Sequence, residues 1–271
     1  MFTAVEVDAP GVAALERAVL AAESAGHAFV TFPDAPLRPG IEAGVRAAYL
    51  ARRTTRIGLA PTLHATTTEP FHLATQLAGL DHASLGRAGW VVGATTAPAD
   101  LATVGRTGVG DGEVADVVEV ARRLWDSWED GAIIRDVPTG RFLDSRKVHH
   151  VDFDSPNFSV VGPLITPRPP QGQVVVIGAD TLGITGQLDI ALVAATDPLE
   201  LAERAAKARA DGAALVFADV PARFDPAALH GLVDGVHFRG DAPPPATPAR
   251  GATLREALGL PRPTNRYEVT A

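Results

Sequence analysis

The stretch LDHASLGRAGWVVGATT, residues 80–96, contains the unit from which the fold can be inferred. It begins as the end of an apolar helix and turns through the corner Gly-Arg-Ala-Gly at 86–89. It then continues as an apolar strand that ends on Thr95 and Thr96. A helix that leads through a short turn into an uninterrupted apolar strand is typical of a parallel sheet buried on both faces.

The rest of the chain repeats this alternation of strand and helix. Eight apolar segments have the pattern of strands: 2–7, 27–32, 56–63, 88–94, 174–179, 189–195, 213–220 and 235–238. Helical spacing lies between them over 10–25, 41–55, 69–84, 113–129, 198–210 and near 226–232. Eight βα units in roughly 250 residues predict a (β/α)8, or TIM, barrel. An open doubly wound sheet is the alternative, and it is disfavoured because no Gly-x-Gly-x-x-Gly motif follows the first strand.

Some connections depart from the regular pattern of this predicted single domain, residues 1–271. DTLGITGQL (180–188) is too short and Gly-rich for a full helix, and we expect trimmed or irregular connections after strands five to eight. Residues 130–173 are longer than an ordinary connection, which predicts an extended arm or a lid over the barrel mouth. Residues 241–271 form a C-terminal tail, with a proline-rich spacer followed by the short amphipathic segment TLREALGL.

The composition excludes several classes of function. The chain has no cysteine, so disulfides, thiolate nucleophiles and zinc–thiolate sites are excluded. The formal net charge of -8 and the scattered basic residues disfavour a nucleic-acid surface. No apolar run approaches the ~20 residues of a membrane span, and the N-terminal segment MFTAVEVDAP has no basic region. We therefore expect a cytoplasmic protein that does not bind membranes.

In a barrel, the chemistry belongs at the carboxyl ends of the strands. Polar side chains follow these ends at Asp34, Thr62, His64, Thr95, Thr96, Asp180, Thr181, Thr196, Asp197, Asp219 and Arg239. For each of these residues a purely structural role is the alternative to a role in chemistry, because Asp and Thr also form turns and cap helices. His64 is a candidate catalytic base, although no nucleophile motif accompanies it.

The segment KVHHVDFD (147–154) offers four residue types that bind metals, at His149, His150, Asp152 and Asp154. Neighbouring residues of an extended chain point to opposite sides, so these groups do not converge naturally. We predict no metal site.

Three blocks of sequence, in order, resemble one protein family. The first, GLAPTLHATTTEPFHLATQLAGLDHASLGRAGWVVGATT (58–96), holds a Glu-Pro-aromatic-His pattern at 69–72 and the LDH-x-S-x-GRAGW signature at 80–90. The second spans 117–173 and the third, TLREALGLPRPTNRY, spans 253–267. Together they resemble the bacterial-luciferase-like flavin-dependent monooxygenases, in the nitrilotriacetate monooxygenase branch.

The resemblance implies a function and a set of ligands. Such proteins use reduced FMN from a separate flavin reductase to oxygenate a small organic substrate with O₂, and the analogy suggests a homodimer. By resemblance the residues that contact the cofactor are Asp34, Thr62, Trp90, Thr95, Gly178, Ala179, Asp180 and Thr181. The substrate itself is not implied, because the pocket residues differ from those of relatives.

The chain also departs from the family pattern. Val91 stands where relatives have asparagine, and Thr107 and Asp111 fall where they have His and Tyr. Asp180 lies where small hydroxyl residues hold the FMN phosphate. A carboxylate about 4 Å from a phosphate charge costs about 4 kcal/mol per pair of unit charges at an effective dielectric of about 20. Two interpretations follow: an active monooxygenase with a remodelled site, or a noncatalytic member that has lost tight FMN binding and acts as a binding or dimer-partner protein.

Overall fold

The computed structural model of the chain describes residues 1–195, 197–221, 229–240 and 247–268. The strands are β1 (Phe2–Glu6), β2 (Phe29–Phe32), β3 (Gly58–His64), β4 (Gly89–Gly93), β5 (Ile133–Asp136), β6 (Arg141–Leu143), β7 (Phe153–Asp154), β8 (Ser159–Val160), β9 (Val175–Ala179), β10 (Ile190–Val193), β11 (Leu215–Pro221) and β12 (Gly235–Arg239). The α-helices are α1 (Val12–Ala25), α2 (Ala43–Leu50), α3 (Pro70–Ser84), α4 (Pro98–Ala102), α5 (Glu113–Asp126), α6 (Pro198–Ala210) and α7 (Leu254–Ala257).

Eight of the strands form a closed barrel. Going round, the order is β1, β2, β3, β4, β9, β10, β11 and β12, and β12 pairs with β1 through Phe2 and Gly235. All eight pairings are parallel. The predicted (β/α)8 barrel is thereby confirmed, and the open doubly wound sheet is excluded because the two outer strands of such a sheet would not pair.

The connections after the later strands are uneven. Two short 3₁₀ turns, Asp180–Leu182 and Thr185–Gln187, replace a helix after β9, as the Gly-rich sequence predicts. The sixth barrel strand, β10, is in contrast followed by the regular helix α6. Residues 226–228 of the helix expected near 226–232 and residues 242–246 of the proline-rich spacer lie outside the described residues, and the described residues 229–232 contain no α-helix.

The barrel interior is filled from the end at which the strands begin. Leu254 of α7 packs against inward-facing side chains of the strands and closes this end. A Cβ placed on Gly58 would come within 2.7 Å of Leu254, and one on Gly235 within 2.4 Å of the Phe217 ring. Glycine at these strand starts therefore makes room for the large side chains that fill the barrel.

The 80–90 signature forms the corner between α3 and β4. Leu85 and Gly86 have positive φ angles of 62° and 87°, which end the helix. The buried Arg87 guanidinium donates to four backbone carbonyl oxygens and to the Thr54 hydroxyl. The buried Asp81 carboxylate accepts from the Ala88 N–H and the Gln171 side chain. This signature thus fixes the start of β4, at the end of the barrel opposite the strand carboxyl ends.

The 130–173 segment leaves the barrel at the carboxyl end of α5 and returns at the start of β9. It contains two antiparallel hairpins, β5–β6 and β7–β8. Arg168 binds Asp126 of α5 and Asp130, and the tip residue Asn157 donates to Asp111 and Asp116 near the start of α5. These contacts describe an arm along α5, and a role as a lid over the mouth remains a prediction.

Candidate active site at the barrel mouth

A cavity of about 190 Å³ opens between the loops that follow β2 and β3. Asp34, Thr62 and His64 line it together, with Thr67 and Thr68 beyond them. These first three side chains were singled out from the sequence as strand-end residues. The barrel geometry brings them to one place because β2 and β3 are parallel neighbours whose carboxyl ends meet.

Asp34 organises the loop after β2. One carboxylate oxygen accepts from the Ala35 N–H at 2.9 Å, and the other accepts from the Ala43 N–H at the start of α2. The Arg46 guanidinium lies 3.8 Å from the same carboxylate. An anion at a helix amino end is stabilised by the helix dipole and by the free N–H groups there. Asp34 is therefore held as an oriented carboxylate at the cavity wall.

His64 is seated by a glycine on the neighbouring strand. Its Nε2 lies 3.2 Å from the Asp34 carbonyl oxygen. A Cβ on Gly93 would come within 2.8 Å of the His64 ring, so glycine is needed for the ring to lie where it does. The Nδ1 atom is buried and has no hydrogen-bond partner among the described residues. An unpaired buried nitrogen costs about 1–3 kcal/mol, which a ligand that hydrogen-bonds to it would recover.

A second polar group lies inside the barrel, and sequence reasoning missed most of it. The buried His237 of β12 places Nε2 2.8 Å from the Thr31 hydroxyl and Nδ1 2.8 Å from the Asp219 carboxylate. Asp219 also pairs with Arg239 at 3.2 Å. The available signal was the alternation of GVHF (235–238), in which the polar residue takes an inward-facing position.

The hydrogen-bonding partners of His237 determine which of its ring nitrogens carries the proton. An ionised carboxylate only accepts, so His237 donates from Nδ1 to Asp219; in the neutral imidazole, Nε2 then accepts from the Thr31 hydroxyl. Burial raises the pKa of the nearby Glu6, while His237 opposes that rise and Asp219 adds to it. The barrel centre therefore holds an oriented imidazole between a hydroxyl and a carboxylate, the arrangement that allows proton transfer.

The residues after the fifth barrel strand, β9, are arranged differently from the sequence-based expectation. Asp180 does not present a bare carboxylate: Arg204 of α6 binds both its oxygens, Nε at 3.0 Å and Nη2 at 2.7 Å. Gly178 faces the outer layer, since a Cβ there would meet Leu188 at 3.0 Å. The like-charge argument against a phosphate is thus corrected, because a guanidinium balances the carboxylate charge. The sequence carried no local signal for Arg204, which is 24 residues away.

The other expected cofactor contacts are separated from the cavity. Trp90 is fully buried in the layer between the barrel wall and the helices, where its indole N–H donates to the Leu63 carbonyl at 3.0 Å. The Thr95 hydroxyl binds Asp100 at 2.7 Å beside α4.

The remaining strand-end residues have structural roles or flank the end of β9. Asp197 caps α6, which is a structural role rather than ligand binding. Ala179 and Thr181 flank Asp180 at the end of β9, and Thr196 lies outside the described residues.

Two further sequence features can be located. His149 binds Glu129 at 2.7 Å and stacks on Tyr267. Within the described ranges, no group of three or more His, Asp or Glu side chains has a geometry that could hold a metal ion. None of the helices described is long and apolar enough to cross a bilayer.

Comparison with known proteins agrees with this architecture. The family model described as luciferase-like monooxygenase matches residues 2–231. One of the subunits of pristinamycin IIA synthase from Streptomyces pristinaespiralis is 35% identical over 267 residues, which cover 94% of this chain and 92% of that protein. Nitrilotriacetate monooxygenase component A from Aminobacter aminovorans is 42% identical over 137 residues, 49% of this chain and 30% of that one.

The solved structure of EDTA monooxygenase from Chelativorans sp. BNC1 has the same fold, with a TM-score of 0.69 at 24% identity; the match covers 86% of this chain and 65% of that one. Several curated monooxygenases are matched over only about a third of their own length. The matched family model, the barrel topology and the sequence blocks agree: the chain belongs to the luciferase-like monooxygenase family.

Proposed function

We propose that this chain contributes the flavin- and substrate-binding site of a monooxygenase that oxidises a small organic molecule with O₂. The observation that supports it best is the convergence of Asp34, Thr62 and His64 on one cavity at the carboxyl ends of the strands. That is the end at which (β/α)8 enzymes carry their chemistry. The family relationship adds the reaction class.

The residues at this cavity are compatible with reduced FMN. The unpaired Nδ1 of His64 and the half-buried Thr62 would hold polar edges of the ring system. On the β9 side, the Asp180–Arg204 pair is locally neutral, so it no longer opposes a phosphate. When bound, reduced flavin supplies the electrons with which O₂ is reduced during oxygenation. A separate flavin reductase would deliver it.

The chain's own contribution is positioning and proton handling. Asp34 fixes the β2–α2 loop through two backbone N–H groups, which keeps one wall of the cavity in place. In the barrel, Nε2 of His237 can take a proton through the Thr31 hydroxyl, and the resulting imidazolium is stabilised by Asp219. Such a relay would hold a proton inside the barrel while the reacting molecules stay at the mouth.

A second candidate function is to complete a larger monooxygenase as one of its chains. Its support is the match along nearly the whole length of a protein that is itself named as one component of a synthase. Helix α2 also exposes an apolar side chain, Val45 at 54%, and Ile41, two residues before the helix, is 50% exposed. Val45, Ala48 and Leu77 line a groove between α2 and α3. Such a surface is suited to a second luciferase-like chain, either a copy of this one, as the predicted homodimer requires, or a longer relative.

Two measurements test these proposals. Titration of purified protein with FMN, followed by flavin fluorescence, should saturate in the micromolar range and weaken in His64→Gln. His72→Gln, on the exposed face of α3, is the matched control and should bind as the wild type does. Absence of binding at millimolar FMN would reject the first proposal. Light-scattering mass measurements on the wild type and Val45→Glu should give a dimer and a monomer, respectively, if the α2 surface pairs two copies.

A further inference from the structure

A second cavity at the mouth has the features of an anion-binding site. It encloses about 500 Å³ between the loop after β1 and the loop after β2. Its walls include the start of α1 at Gly11 and Val12, and the two arginines Arg38 and Arg46. It adjoins the Asp34–Thr62–His64 cavity, because Arg38 and Gly40 line both.

The start of α1 supplies backbone donors to this cavity. The helix runs for 14 residues, and no side chain makes a capping hydrogen bond at Gly11. Gly11 has φ 76°, a conformation that residues with a Cβ rarely adopt, so a capping side chain cannot simply be placed there. The first N–H groups of a helix, together with the positive end of its dipole, bind oxyanions.

Arg46 provides the second, independent observation. It is only 8% exposed, and a buried guanidinium normally has all its donors satisfied. Nη2 donates to the Pro33 carbonyl at 2.5 Å, whereas Nε is buried with no partner among the described residues. The only described carboxylate in contact with its guanidinium, that of Asp34, lies 3.8 Å from Nη2. The hydrogen-bonding capacity of Arg46 is thus incompletely used at the cavity wall.

Arg38 is the third group that could bind an anion, after the amino end of α1 and Arg46. In the structure its guanidinium is paired with the Asp8 carboxylate. The two side chains form an ion pair, with 34% of Arg38 and 47% of Asp8 exposed. An exposed pair of this kind contributes little stability and can be exchanged for another anion. Asp8 therefore acts as a weak internal competitor for the position that a ligand anion would take.

We propose that this cavity binds the oxyanion of a small molecule, a carboxylate or a phosphate group, between the amino end of α1, Arg38 and Arg46. Arginine forks and helix amino ends both favour planar or tetrahedral oxyanions over other ligands. The site does not depend on flavin binding, so it can stand if the proposed monooxygenase function fails. Its position beside the first cavity would place an anionic group of a ligand next to His64.

The test is calorimetric titration of the full chain at low ionic strength, with inorganic phosphate in one arm and succinate in the other. Saturable binding of one anion per chain is expected in at least one arm, and the tighter arm identifies the source of the oxyanion. Asp8→Asn removes the internal competitor, so binding should tighten about twofold to fivefold. Val12→Asp places a carboxylate at the start of α1, where it favours the helix, and should abolish binding while the protein stays folded.

Arg52→Gln is the matched control, because Arg52 is exposed at the far end of the α2 segment and does not line the cavity. It should bind as the wild type does. Three results would overturn the proposal: no heat of binding in either arm, unchanged affinity in Asp8→Asn, or undiminished affinity in a folded Val12→Asp protein.

Discussion

Arg204 of α6 binds both carboxylate oxygens of Asp180, at 3.0 and 2.7 Å, across the connection that replaces a helix after β9. The Asp180 side chain is 12% exposed, so its charge would be poorly hydrated without the guanidinium. The pair joins the end of β9 to α6 and balances the charge of the Asp180 carboxylate.

Replacing Arg204 by Met should therefore uncover the carboxylate charge. We expect the free energy of unfolding to fall by about 2 kcal/mol, because a largely buried carboxylate loses its partner. If FMN binds with its phosphate on this side, its affinity should drop while that of riboflavin, which lacks the phosphate, stays the same. Urea unfolding and flavin titration measure the two effects. Glu200→Gln, which removes a 49% exposed partner of Arg204, should change neither.

The Thr31–His237 hydrogen bond can be tested with a matched pair of threonines. Thr31→Val leaves Nε2 of a buried histidine unpaired, and we expect the free energy of unfolding to fall by about 1–2 kcal/mol. Thr3→Val removes the similar 2.9 Å bond to His27, and it should cost less because Thr3 is half-buried whereas Thr31 is buried. Equal losses of unfolding free energy in the two variants would show that the Thr31–His237 bond stabilises the protein no more than the Thr3–His27 bond does. If His237 relays a proton, Thr31→Val should also shift the pH profile of turnover.

Gly93 should control the seating of His64. In Gly93→Ala the new Cβ would lie 2.8 Å from the imidazole ring, so the ring must move or the strands must separate. Overpacking of this kind typically costs about 1–3 kcal/mol, and ligand binding at the cavity should weaken with it. Gly79→Ala is the control: it lies in α3 with nothing within 4 Å of the new Cβ, so stability should rise by about 0.5–1 kcal/mol. Thermal unfolding separates the two outcomes.

Asp81 should make stability depend on pH. Burial raises its pKa from 3.8 to about 6. The folded state therefore binds more protons than the unfolded state between about pH 4 and 6, and the contribution of Asp81 to stability decreases as the pH rises through this window. The difference amounts to about 3 kcal/mol.

The variant Asp81→Asn does not titrate, so it isolates this effect. Relative to the variant, the wild type should lose about 2–2.5 kcal/mol of unfolding free energy between pH 4 and pH 7. Urea unfolding of both proteins at several pH values measures it. A constant difference across this range would mean that the carboxylate has an ordinary pKa in the folded protein.

The strands and helices of the barrel could be predicted from sequence because their signals are local. Apolar runs bounded by turn residues gave all eight barrel strands to within about two residues of their observed ends. Pro70 and Pro198 marked the starts of α3 and α6, and Asp197 caps α6 as its sequence position suggested; α3 is capped by Glu69 rather than by the expected Thr68. The count of eight βα units favoured a closed barrel over an open doubly wound sheet, and the pairing of β1 with β12 confirms it.

The arrangement of the candidate site could not be predicted from local signals, because it depends on the tertiary structure. Asp34, Thr62 and His64 could be selected as strand-end residues, but only the register of β2 and β3 puts them around one cavity. Trp90 was expected to contact the cofactor, but it lies at the start of β4 and the alternation of that strand turns its side chain to the outer layer.

By itself, the sequence determined the barrel, the family and the residues at the strand ends, since these depend on periodicity and on short motifs. The tertiary structure alone decided which polar groups pair with each other: Arg204 with Asp180, and His237 with Asp219. The partners in those pairs are 24 and 18 residues apart and lie on different elements. Electrostatic energy depends on distances of a few ångströms that chain separation does not specify.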